Sequence, residues 1–227
     1  PLCHLEDKGS ITDFHRGTDL LMWCENGCCS YKIPMPEIEE AFEDIREQDV
    51  KFESFNVDAT NAEKRVNLIQ EISKILGKEG RIRTLVHSIS KGNLKPMTGD
   101  EPTLENIDFQ ITIDAMAISL YDWTKAIFKS GLFAKDARII SFTSEGNKKA
   151  WANYAAVSAA KVALEAITRS IALEFASHGI RANWIQAGGN QIGSFSHGQN
   201  NRSVHNVLGG CPLMDRRRWC EQLQLLN

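Results

Sequence analysis

Cysteine is absent from the body of this chain: Cys3, Cys24, Cys28 and Cys29 stand near its start, Cys211 and Cys220 near its end, and none lies between. A disulfide framework spreads its bridges through a fold, so this placement argues for reduced thiols instead. Cys24, Cys28 and Cys29, taken with His4 and His15, lack the paired short spacings of a structural zinc site, and no metal is expected. Charge of one sign is lacking too. Lys and Arg number 26 against 29 Asp and Glu, a formal charge of −3, which leaves no basic surplus for nucleic acid. No apolar run is long enough to span a membrane. The segment from Pro1 to Lys8 has no charged region followed by an apolar stretch, so a cytoplasmic protein without a secretory signal is expected. The first 34 residues also lack G-x-G-x-x-G or any similar glycine cluster, the device that lets backbone amides approach a phosphate.

What is present is ordered. The chain has 227 residues, 42% hydrophobic and 24% charged, enough to bury a core. From about residue 36 to residue 188, strand and helix signals alternate. A helix is predicted over 36–46 on Ile38, Ala41, Phe42 and Ile45, with proline in its first turn. A strand follows over 51–58. The next helix is capped by Thr60 or Asn61, turns Val66, Ile69, Ile72 and Ile75 inward, and ends near Gly77. Further strands are predicted over 82–87, 138–143 and 180–185. Helices are predicted over 103–130, with Ile113, Met116, Ala117 and Leu120 apolar, and over 151–176. This rhythm implies α/β architecture: a parallel sheet with helices on both faces and ligands beyond the carboxyl ends of the strands. Asp58, Ser88, Ser141, Ser144 and Gly188 fall at or just after those ends. The flanks, 1–34 and 189–227, share none of this periodicity, apart from the apolar run at 20–24 and a helical hint at 216–226.

The most informative pair is Tyr154 and Lys161, seven residues apart in a run of small side chains. On one helix they leave the same face about 10 Å apart. A lysyl cation can grip a hydroxyl-rich or anionic group, and it makes a neighbouring phenol a better proton donor. The bland reading, a packed Tyr and a solvated Lys, has to be beaten by context. Asp58 has a bland reading as a helix cap, Ser88 and Ser90 as turn residues, Ser141 and Ser144 as partners of local backbone, and His87 as a packed strand residue.

That context is a family pattern. Residues 138–146, Tyr154-x6-Lys161 and residues 182–188 together resemble the short-chain dehydrogenase/reductases, and within them the enoyl-acyl-carrier-protein reductases of bacterial fatty-acid synthesis. Most of that superfamily separates Tyr and Lys by three residues, but here the residue four after Tyr154 is Ser158. The six-residue gap is typical of the enoyl reductase branch. Leu85 to Ser90 resembles that branch's own motif, Asp114 and Lys125 fit its following helix, and Asn56 to Ala59 stands where relatives hold adenine. The resemblance covers about two-thirds of the chain. It implies a Rossmann-like, doubly wound, three-layer domain over 1–227 with divergent ends, reducing a 2-enoyl thioester with NADH or NADPH. It casts Tyr154 as donor to the thioester oxygen and Lys161 as holder of the nicotinamide ribose. Asp58 and Ala59 would meet adenine; Ser88, Ile89 and Ser90 would line the cofactor's middle, and Gly188 would border it. Ser144 stands ten residues before Tyr154, where many relatives carry a second Tyr. The acyl substrate would ride on acyl carrier protein, and a homo-oligomer, dimer or tetramer, is expected, with no nucleic-acid or membrane partner. Two departures stand out: the missing glycine turn, and Gly189-Asn-Gln-Ile192 where relatives continue with Pro, an apolar residue and Thr. The alternatives are a 3-oxoacyl or other carbonyl reductase, and a non-catalytic relic.

Overall fold

The computed structural model describes residues 18–23, 51–100 and 102–187. The expectations placed on the helix over 36–46, on Gly188 and on the stretch after it lie outside the described residues. The chain divides into two compact units. The first holds most of a two-stranded sheet, in which β1 (Thr18–Trp23) neighbours β2 (Lys51–Asn56). The second runs through residues 55–188 and carries all the elements that follow.

It opens with α1 (Ala62–Leu76), whose boundaries come from local chemistry. The Asn61 side chain accepts from the Lys64 N–H at 2.9 Å, and Gly77, at φ 65°, returns its own N–H to the Ser73 carbonyl at 3.1 Å. The buried face differs from the sequence expectation. Leu68, Ile69 and Ile72 face inward, while Val66 is 52% exposed. The helix is rotated so that Arg65 reaches Asp122, at 2.9 Å, and lies over the Trp123 ring.

β3 (Ile82–His87) leads into α2 (Asn106–Ile113). The loop between them is anchored at Asp108, whose carboxylate accepts from Asn93 Nδ2 at 2.6 Å, Lys95 Nζ at 2.9 Å and the Glu105 N–H at 2.9 Å. The long helix expected over 103–130 is interrupted by a π turn (Asp114–Ile118) before α3 (Ser119–Lys129). There the Ser119 N–H reaches back to the Asp114 carbonyl, and the Ser119 hydroxyl bonds the Ala115 carbonyl at 2.7 Å. Then come β4 (Phe133–Ser144), α4 (Ala155–Glu174) and β5 (Arg181–Ala187). β3, β4 and β5 make a parallel sheet in that order, with β4 central. β4 and β5 run in register from Arg138↔Arg181 to Ser144↔Ala187, so their carboxyl ends are level.

Ala137, Ile139, Ser141 and Thr143 alternate along β4 and are all buried. Ala137 and Ile139 pack with Leu120 of α3 and with Leu164 and Ile171 of α4 in the main core. Each large side chain there is worth about 2 kcal/mol. The turn from α4 into β5 depends on Gly179, at φ 76°, where an added Cβ would sit 1.8 Å from the Lys135 carbonyl oxygen. Gly179→Ala should therefore cost more than about 2 kcal/mol, a clear fall in melting temperature. An unchanged melting temperature would mean the turn accommodates a side chain.

Candidate functional site

The end of β4 gathers the hydroxyl and amine groups that the sequence singled out. Ser144 is the last residue of β4, and its Oγ lies 3.4 Å from the Tyr154 hydroxyl. Tyr154 is only 7% exposed. Burial pushes its phenol above the usual value of 10, with the Ser144 bond pulling slightly the other way. The phenol therefore keeps its proton at neutral pH.

Tyr154 does not lie inside a helix, as the sequence expectation had it. It occupies the N-cap position of α4, with φ −108° and ψ 4°, and its carbonyl accepts the Ser158 N–H at 2.8 Å. Helix cannot extend back to Trp151, because Asn153 is left-handed at φ 62°.

Lys161 lies nearly two turns further on, 8% exposed, donating to the Phe142 carbonyl at 2.7 Å. Burial lowers its ammonium from 10.5 to about 8, and Glu165 holds it from falling further. Glu165 is itself tied down. Its Oε1 accepts from the Thr143 hydroxyl at 2.6 Å and from the Asn147 amide. Sequence reasoning passed over Glu165, although its place one helical turn after Lys161 was a readable sign.

Beside this cluster, His87 ends β3. It is 5% exposed, with Nε2 2.7 Å from the Ser119 hydroxyl oxygen. Since that hydroxyl donates to Ala115, the ring must supply the proton, leaving Nδ1 a buried acceptor without a partner among the described residues. Burial lowers His87 from 6.5 to about 3, and the Lys161 charge acts in the same direction. Beyond it, Ser88 is exposed and Ile89 half-buried. The Ser90 hydroxyl oxygen is buried without a partner among the described residues. Ser141 proves structural: its hydroxyl meets Thr168 at 3.0 Å.

Asp58 does not cap α1, since Asn61 does. Its Oδ1 instead takes both the N–H and the hydroxyl of Thr60, at 3.0 and 2.7 Å. Those bonds, with help from Lys91 and Lys64, hold its carboxyl below the usual range. The adjoining Ala59 carbonyl is clamped by Trp123 Nε1 at 3.0 Å and by Arg65 at 3.4 Å. An open, mostly apolar groove of about 690 Å³ borders Tyr154, with Met97, Trp151, Ala155 and Val162 in its walls. Another groove, about 580 Å³, lies along α2 and touches none of these groups. No group of three or more His, Cys, Asp or Glu that could hold a metal occurs among the described residues.

Comparison with known proteins shows the family and the fold. Residues 31–216 match the family model described as enoyl-(acyl carrier protein) reductase. The chain is 31% identical over 154 residues to the NADH-type enoyl-[acyl-carrier-protein] reductase FabI of Nostoc sp., covering 67% of this chain and 58% of the relative. To the NADPH-type FabI of Staphylococcus aureus it is 27% identical over 153 residues, covering 67% and 57%. The chain thus spans under three-fifths of the length of these relatives. Among solved structures, the enoyl-(acyl-carrier-protein) reductase of Anaplasma phagocytophilum in complex with NAD superposes with a TM-score of 0.58 at 18% identity, covering 74% of this chain and 59% of that one. That likeness establishes the Rossmann-like α/β fold that the family resemblance implied.

Proposed function

Because this chain belongs to the enoyl-(acyl carrier protein) reductase family of short-chain dehydrogenase/reductases, we propose that it reduces the double bond of a 2-enoyl thioester with NADH or NADPH. The observation that carries the reading is the protonated, buried Tyr154 phenol, paired with Ser144 at the end of the strand whose Phe142 carbonyl holds Lys161.

The described residues fit a dinucleotide. Lys161 spends one donor on Phe142, leaving others for ribose hydroxyls. Ser90 offers a buried hydroxyl without a partner among the described residues, and the clamped Asp58–Ala59 turn suits the adenine end. When bound, the reduced nicotinamide supplies a hydride. Tyr154 donates a hydrogen bond to the thioester oxygen, where negative charge develops, and a donor aimed there stabilises the transition state more than the ground state. Ser144 orients the phenol, and Lys161 brings positive charge to the ribose. The apolar groove beside Tyr154 provides a wall for an acyl chain.

The substrate would be carried on acyl carrier protein, and the chain would act as a homo-oligomer in the cytoplasm. No helix among the described residues is long and apolar enough to cross a membrane.

The test is NAD(P)H consumption with crotonyl thioester beside a 3-oxoacyl thioester. Faster turnover of the enoyl substrate is expected. Preference for the ketone would move the assignment to carbonyl reduction. Failure to bind either dinucleotide by calorimetric titration would make the chain a non-catalytic relic.

A further inference from the structure

We propose that Asn153 and Gly146 are positioning residues that set where the Tyr154 hydroxyl points. This rests on the catalytic reading of Tyr154 and adds how the chain aims it.

Two independent constraints meet at that ring. The first is in the backbone. Asn153 is the one non-glycine residue at positive φ among the described residues, at 62°. It is also exposed, so no core packing holds it there. Asn tolerates the left-handed region, whereas residues with a bare Cβ or a branched one do not. The left-handed residue reverses the chain just before α4. The Tyr154 N–H then folds back to the Trp151 carbonyl at 3.3 Å, and its carbonyl starts the helix through Ser158. An αR conformation at Asn153 would carry the helix backwards and swing the Tyr154 side chain with it.

The second constraint is steric. Gly146 lies in the short turn after β4, and a Cβ built there would be 2.4 Å from Cε1 and 2.9 Å from Cδ1 of the Tyr154 ring. The absence of a side chain at Gly146 is what lets the Tyr154 ring come this close. The glycine's place is fixed by the Ser158 hydroxyl, which donates to the Gly146 carbonyl. Trp151 meets the Tyr154 ring edge-on, 5.0 Å between ring centroids, and its Cζ3 lies 3.3 Å from the same built Cβ. Held by Gly146, Trp151 and the turn at Asn153, the phenol meets the Ser144 hydroxyl at 3.4 Å. Gly146 has no side chain to offer a substrate, and Asn153→Gly, which removes the exposed amide but keeps positive φ accessible, separates a backbone role of Asn153 from a side-chain contact.

The experiment compares Gly146→Ala, Asn153→Ala and Asn153→Gly with the wild type and with Tyr154→Phe. Readouts are kcat and KM for crotonyl thioester, dinucleotide affinity by calorimetry, and titration of the Tyr154 phenol in ring-labelled protein. Tyr154→Phe identifies the signal to follow. Gly146→Ala is expected to cut kcat about tenfold or more with dinucleotide affinity within about twofold of wild type. Its phenol should titrate nearer the ordinary value of 10, because the ring is pushed out of its buried seat. Asn153→Ala should lower kcat several-fold, and Asn153→Gly, free to adopt positive φ, should restore it to within about twofold. Should Gly146→Ala fail to fold, the exposed Asn153 pair still decides. The proposal is overturned if folded Asn153→Ala and Gly146→Ala keep the wild-type kcat and phenol titration. If Tyr154→Phe is itself as active as wild type, the catalytic reading falls instead, and the phenol titration alone then judges the positioning claim.

Discussion

Tyr154→Phe is expected to slow enoyl-thioester reduction about a hundred- to a thousandfold while leaving the fold intact, the scale seen when one donor to a developing oxyanion is removed. The substitution takes away only the hydroxyl. The ring keeps its close approach to Gly146 and its edge contact with Trp151, and the lost partner, the Ser144 hydroxyl, is half-buried and can turn to water. Stability should therefore stay within about 0.5 kcal/mol of wild type. KM should move little, since the bond matters most where charge appears. The pH profile separates this role from that of Lys161. The phenol, raised above 10, contributes no change across the neutral range. Lys161, lowered to about 8, loses its charge as pH rises through that value. Activity should fall on that alkaline limb, and the residual activity of Tyr154→Phe should keep the same limb. A Tyr154→Phe enzyme that is folded and as fast as wild type would remove the phenol from the chemistry.

Acid should destabilise the protein well before its carboxylates protonate, and His87 is the reason. A histidine whose folded value is pulled from 6.5 down to about 3 binds a proton more weakly in the folded state than in the unfolded one. Its contribution is fully present above pH 6.5 and is lost as pH falls through the window between those values. The linkage amounts to about 2 kcal/mol at pH 5 and about 3 kcal/mol at pH 4, and the first of these corresponds to a fall of roughly 4–8 °C in melting temperature. Asp58 and Asp108, both held below the ordinary 3.8 by their hydrogen bonds, add their own loss only at lower pH. His87→Gln separates the two. Its amide can still donate to Ser119 but does not titrate, so the slope between pH 6.5 and 4 should largely vanish. If melting curves of wild type and His87→Gln run parallel over that range, the ring is not buried in its neutral form.

Much of the frame was legible because it rests on neighbours in sequence. Asn61 and Gly77 bound α1 through bonds that reach no more than four residues. The apolar runs at Ile82 and Arg138 became strands, and the latter grew at its start, to Phe133, where no alternation announces it. The inward face of α1 was misjudged at Val66, because Asp122, which attracts Arg65, stands 57 residues away. The π turn at Asp114–Ile118 likewise had no local sign, whereas the position of Tyr154 outside α4 had one that was passed over: Asn153, a residue that tolerates positive φ.

On its own, the order of residues determined the α/β rhythm, the helix caps and the Tyr-x6-Lys161 signature, since periodicity, capping and spacing act over a few residues of contiguous chain. Only folding decided that Ser144 would meet the phenol, that Thr143 and Asn147 would tie down Glu165 and that Gly146 would lie against the Tyr154 ring. Those pairings join the end of β4 and the turn after it to α4 and its N-cap, and burial, which shifts the proton affinities of His87, Tyr154 and Lys161, exists only once the layers have closed over them.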